Sequence, residues 1–137
     1  PRVDAEHRNV VALEALLRWV SPSRGVVAPG EFIGVLEDTG MMNIVGEWVL
    51  RSACTQVCRW RAEGMAPLRM SVNVSSVQFQ NSAFLPMVQR VLRETGAPPE
   101  LIELELTERM LMDDLPAVRE RLVPDLEPGL PQALQAP

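Results

Sequence analysis

Three stretches of the chain alternate apolar and polar side chains with a period of two. That period marks a β-strand whose two faces differ. Leu68 to Ser75 places Met70, Val72 and Val74 on one face and Arg69, Ser71, Asn73 and Ser75 on the other. Leu101 to Thr107 alternates Ile102, Leu104 and Leu106 with Glu103, Glu105 and Thr107. Val10 to Trp19 is more apolar and is predicted as a third strand. Ala12, Glu14, Leu16 and Arg18 fall on one of its faces, and Val11, Leu13, Ala15, Leu17 and Trp19 on the other. Glu14 and Arg18 would lie about 13 Å apart at a strand's rise, too far to pair. A carboxylate on so apolar a strand needs another partner if it is buried.

Helical periods fill the intervals. Pro29 opens a short helix carrying Phe32, Ile33 and Leu36, which Gly40 ends. A longer helix is predicted from Met42 to Glu63, with Val45, Val49, Ala53, Val57 and Trp60 as its buried stripe and Trp48 beside it. Asn81-Ser82 is a capping signal for a helix that buries Leu85, Val88, Val91 and Leu92 and stops at Gly96 and Pro98-Pro99. Residues 1–9 read as a strand end and a turn, Ser21 to Gly25 as a loop, and residues 115–122 as a further helix. From Val123 the period is lost and Pro becomes frequent, so 123–137 reads as an irregular tail after a domain at 1–122. Strand, helix, strand, helix, strand is the order of a parallel α/β sheet or barrel, where functional groups gather at the carboxyl ends of strands.

Composition narrows the chemistry. With 47% hydrophobic and 23% charged residues among 137, the chain is globular. The net charge of −5 and the lack of a basic stripe argue against DNA or RNA as partner. No apolar run reaches membrane-spanning length and no signal-peptide pattern is present, so a cytoplasmic location is expected. All thirteen basic residues are Arg, which excludes a catalytic lysine within these residues. Cys54 and Cys58, four apart on one helix face, are far from the single His7 and read as buried thiols of a reducing compartment. His7 sits in a polar turn and reads as solvated. The chain starts at Pro1 without a Met and is expected to be a piece of something longer.

The polar faces of the three strands supply Glu14, Asn73 and Glu105. Carboxylate and amide oxygens suit a hard divalent cation such as Mg²⁺ or Mn²⁺. An ordinary sheet with one solvated face would show the same alternation, and pattern alone leaves both readings open.

Spaced motifs add to this. Glu14-Ala15-Leu16 runs into Leu17-Arg18-Trp19, and Pro22, Gly25, Pro29, Glu31-Phe32-Ile33, Glu37, Gly40 and Gly46 follow. Then come Trp48-Val49-Leu50, Ala53-Cys54 and Trp60, Asn73-Val74-Ser75 with Gln78-Phe79, and Glu105-Leu106-Thr107-Glu108. Together they resemble the EAL-domain family of cyclic di-GMP phosphodiesterases over roughly residues 1–115. The resemblance implies a partial TIM-like (βα) barrel of the α/β class, about its first half. It implies Glu14, Asn73 and Glu105 as ligands of Mg²⁺ or Mn²⁺, Arg18 as a contact to a substrate phosphate, and Glu108 as support for a loop. The implied ligand is cyclic di-GMP. The family's Asp-Asp-Phe-Gly-Thr-Gly segment, its catalytic lysine and its last metal-binding glutamate have no counterpart here. Asp113-Asp114 is no substitute, since Leu115-Pro116 follows it. The expectation is a phosphodiesterase domain by resemblance that does not turn over alone, with a non-catalytic binding or oligomerising remnant as the alternative. A half barrel with open edges is also expected to self-associate, through Trp48, Trp60 and the Met41-Met42 region.

Overall fold

A computed structural model describes residues 2–3 and 10–106. Among them the main sheet has four strands in the order β1-β2-β5-β6. β1 (Arg2–Val3) is antiparallel to β2 (Val10–Ala15). β2, β5 (Arg69–Val74) and β6 (Ile102–Leu106) run parallel. Parallel neighbours need a crossover between them. The first carries a ribbon of β3 (Trp19–Ser21) and β4 (Gly25–Val27), then α1 (Pro29–Asp38) and α2 (Met42–Ala62). The second carries α3 (Ser76–Gln80), α4 (Phe84–Thr95) and a 3₁₀ turn at Pro99–Leu101.

The alternation read from the sequence decides which side of the sheet is covered. Met70, Val72, Val74 and Ile102 are buried in one cluster with Leu50, Ala53, Cys54 and Val57 of α2 and Val88, Val91 and Leu92 of α4. Gly96 ends α4 with a left-handed φ of 68°, a conformation that costs glycine nothing. Ser75 begins α3 through a capping box: its hydroxyl accepts from the Gln78 backbone N–H, and the Gln78 side chain accepts from the Ser75 N–H. Gln78 is buried against α2 at Gly46, where a Cβ would come within 1.7 Å of the Gln78 amide nitrogen. Only glycine allows that approach without moving the cap.

Three expectations change. The first strand ends at Ala15, not Trp19. Trp19–Ser21 leaves the main sheet to pair with Gly25–Val27, and the Trp19 ring meets Phe32 of α1 edge-on at 6.0 Å. Glu14 and Arg18 therefore do not share a strand face. Second, the buried face of α2 is rotated: Met42, Gly46, Leu50, Ala53, Cys54 and Val57 are buried, while Val45, Val49 and Trp60 are half-buried and Trp48 is exposed. The cause is tertiary, since α2 turns its small residues towards α3, α4 and β5. Third, the side-chain cap after β5 is Ser75 on α3; Asn81 instead accepts from the Ala83 N–H just before α4.

Cys54 is fully buried, and burial pushes its thiol up to about 11, so it is an inert core residue. The half-buried Cys58 thiol donates weakly to the Thr95 carbonyl at 3.5 Å. No described helix is long and apolar enough to cross a membrane. His7, Glu108, the expected helix at 115–122 and the tail at 123–137 lie outside the described residues.

Candidate functional site

The uncovered face of the sheet collects the polar side chains of all four strands. Register sets their order. Ala12 lies beside Arg2 on β1 and Arg69 on β5. Ser71 lies between Glu14 on β2 and Glu103 on β6, and Asn73 lies beside Glu105. Alternation then brings each of these side chains to the same side. Glu14, Asn73 and Glu105 all sit one residue before the carboxyl end of their strands.

The contacts form two layers. In the upper one, Asn73 Nδ2 donates to Glu14 Oε1 at 2.7 Å. Glu14 is exposed, and its partner there is an amide. In the lower layer Glu103, only 12% exposed, accepts from Arg69 Nη1 at 2.8 Å, from Ser71 Oγ at 3.0 Å and from Arg2 Nη1 at 3.4 Å. Arg2 links the layers, because its Nη2 donates to Glu105 Oε1. From β1 to β6 is three inter-strand steps of about 4.8 Å, or roughly 14 Å along a flat sheet. Two side chains span that only if the sheet curls towards this face, as a barrel wall does.

Sequence reading placed Glu14, Asn73 and Glu105 correctly on one face. It missed the clamp on Glu103 and the part played by Arg2 and Arg69. The signal was Arg and Ser at alternate positions of β5 facing alternate Glu on β6, but the register that aligns them is a tertiary fact. Arg18 lies past the end of β2, exposed, with Nη1 donating to the Leu17 carbonyl at 2.9 Å. It has no carboxylate partner among the described residues. The structure does not bring it into the Glu14–Asn73 contact.

The donor set fits a hard divalent cation. Two carboxylates and one amide oxygen stand at the ends of three adjacent parallel strands, and the Glu14 carboxylate keeps its second oxygen free of the Asn73 bond. Among the described residues no group of three or more His, Cys, Asp or Glu has the spacing of a metal site, so an ion here would need the Asn73 amide as third donor.

The EAL domain family model matches residues 1–127, and the chain belongs to that family. The chain is 36% identical over 130 residues to the protein named cyclic di-GMP phosphodiesterase PA2567 of Pseudomonas aeruginosa, covering 95% of this chain and 22% of that protein. It is 37% identical over 117 residues to the bifunctional diguanylate cyclase/cyclic di-GMP phosphodiesterase MucR of the same organism, covering 85% of this chain and 17% of MucR. The solved MucR phosphodiesterase in complex with cyclic di-GMP superposes with a TM-score of 0.78 and 36% identity, over 82% of this chain and 47% of that one. The fold is thus part of a TIM-like EAL barrel. The chain spans less than a quarter of the length of these two curated relatives and about half of the solved MucR chain.

Proposed function

We propose that this chain provides part of an EAL-type cyclic di-GMP phosphodiesterase domain, and that its 137 residues do not complete the hydrolysis to linear pGpG alone. The observation that carries the reading is the placement of Glu14, Asn73 and Glu105 at three neighbouring strand ends, with Asn73 bonded to Glu14. In this reading they hold Mg²⁺ or Mn²⁺. Such ions, when bound, polarise a phosphoryl oxygen and acidify a water. Arg18, with no carboxylate partner among the described residues, receives a substrate phosphate with its guanidinium fork. Glu108, outside the described residues, is assigned to loop support by the family resemblance alone. With no lysine in the chain, a proton carrier of that type has to come from elsewhere.

The test is direct. Repurified protein incubated with cyclic di-GMP and Mn²⁺ or Mg²⁺ should give no pGpG by chromatography. Product that disappears in Glu14→Ala would overturn the claim of incompleteness. Binding without turnover is the second reading, favoured by an Arg18 with no carboxylate partner among the described residues; calorimetric titration with cyclic di-GMP should lose its heat in Arg18→Ala.

Self-association belongs to the same reading. Met41, Ile44 and Trp48 are exposed and spaced for one face of α2, whereas Met42 is buried and contributes nothing to that surface. A homo-oligomer packed there should appear in light scattering and fall apart in Trp48→Glu. A monomer at all concentrations contradicts it.

A further inference from the structure

Arg2 is the one described cation that touches a proposed metal ligand. Its guanidinium bridges Glu103 and Glu105, with Nη1 at 3.4 Å from Glu103 and Nη2 on Glu105 Oε1. Glu103 does not depend on it, since Arg69 and Ser71 hold that carboxylate independently. Glu105 does: Arg2 is its only charged partner among the described residues. Ala12 makes the geometry possible. It sits between Arg2 and Arg69 in register, and its methyl group leaves the space over β2 open for a side chain crossing from β1 to β6. Arg2 is mostly exposed, so its contact is exchangeable, whereas Glu103 is largely buried and fixed.

We propose that Arg2 is a resident cation for Glu105, released when a divalent ion binds, and so a residue that sets metal affinity. The proposal rests on the reading of Glu105 as a metal ligand. The physical basis is competition. A carboxylate oxygen accepting a charge-assisted hydrogen bond is less available to a metal. A guanidinium left beside a doubly charged ion also repels it. Glu103 gives the displaced guanidinium a place to stay, because Nη1 already points at it. Arg2 therefore swings on a carboxylate that never leaves.

The test is Mn²⁺ titration of the whole chain, read from the electron paramagnetic resonance signal of free Mn²⁺. Arg2→Gln should tighten binding about ten-fold, the order of one charge removed from beside an exposed ion site. Arg2→Lys keeps the charge and should stay near wild type. Arg69→Gln removes an equal charge that touches only Glu103, and should tighten binding much less than Arg2→Gln. Equal effects of Arg2→Gln and Arg69→Gln would reduce the result to overall charge and overturn the proposal. Unchanged or weaker binding in Arg2→Gln, with wild-type binding abolished by Glu105→Ala, overturns it while leaving the metal reading intact. Binding indifferent to Glu105→Ala removes the metal reading, and the proposal with it.

Discussion

Two ionic clusters lie on opposite sides of the apolar core, and they are built differently. The outer one joins α2 to α4. Arg51 bridges Glu47 at 3.2 Å and Glu94 at 2.7 Å, and Arg90 reaches Glu47 at 2.8 Å. Two acids meet two arginines, so it is neutral. The inner cluster places Glu14, Glu103 and Glu105 against Arg2 and Arg69, which leaves one acid in excess. The outer cluster answers all its own charges and ties two helices together. The inner one keeps a carboxylate, Glu14, held among the described residues only by an amide, at the strand ends where barrel and open α/β sites form. Charge balance separates a structural staple from the surface we propose as a cation site.

The largest effect should come from neither cluster but from the layer between them. Ile102 is fully buried on the apolar face of β6, one residue before Glu103. Ile102→Ala should cost about 2–5 kcal/mol, the range for such truncations. Urea unfolding checks it, and a loss under 1 kcal/mol would show that β6 is loosely packed and the inner cluster poorly held.

Glu103→Gln should come next, at about 1–3 kcal/mol, because a largely buried carboxylate gives up charge-assisted bonds from two arginines. Its loss should be insensitive to salt. A loss as small and as screened as that of the outer cluster would erase the distinction.

How much of this was legible in the sequence varies by element. The alternation of β5 and β6 was unambiguous, because polar and apolar residues alternate without a break from Arg69 to Val74 and from Ile102 to Leu106. The first strand overran because Leu16 and Leu17 continue the apolar run after the chain has left the sheet. Nothing local marks Ala15 as the end; the ribbon partner Gly25–Val27 decides it. In α2, Val45 and Trp60 fit a helical stripe as well as Leu50 and Cys54 do, and only the position of α4 selects between them. Glu14, Asn73 and Glu105 could be read from pattern and family motif. Arg2 could not, since its partners lie three strands away.

The smallest effect should come from the outer cluster and carry a pH signature. The hydrogen bond from Arg90, and then that from Arg51, holds the Glu47 carboxyl below its ordinary value of 4.5. A carboxyl lowered in the folded state stabilises the fold above its unfolded value, and that contribution disappears as pH falls through the folded one. Glu47→Gln should therefore cost at most about 1 kcal/mol at neutral pH, since the pair is solvent-exposed. The gap to wild type should persist down to about pH 5 and close below 4.5. Thermal unfolding at several pH values reads this directly. A gap that widens in acid would mean Glu47 is not the charged partner.

The central claim is that the strand-end face of Glu14, Asn73 and Glu105 holds a divalent ion together with a cyclic dinucleotide. The most direct measurement is calorimetric titration of Mn²⁺ into the whole chain, with and without cyclic di-GMP. Mn²⁺ alone should bind in the millimolar range, because three protein oxygens displace few waters, a limit shared by hard cations such as Mg²⁺. The dinucleotide, bringing phosphate oxygens, should tighten it, and both Glu14→Ala and Glu105→Ala should abolish the gain. An isotherm that cyclic di-GMP leaves unchanged, or that survives both substitutions, would contradict the account.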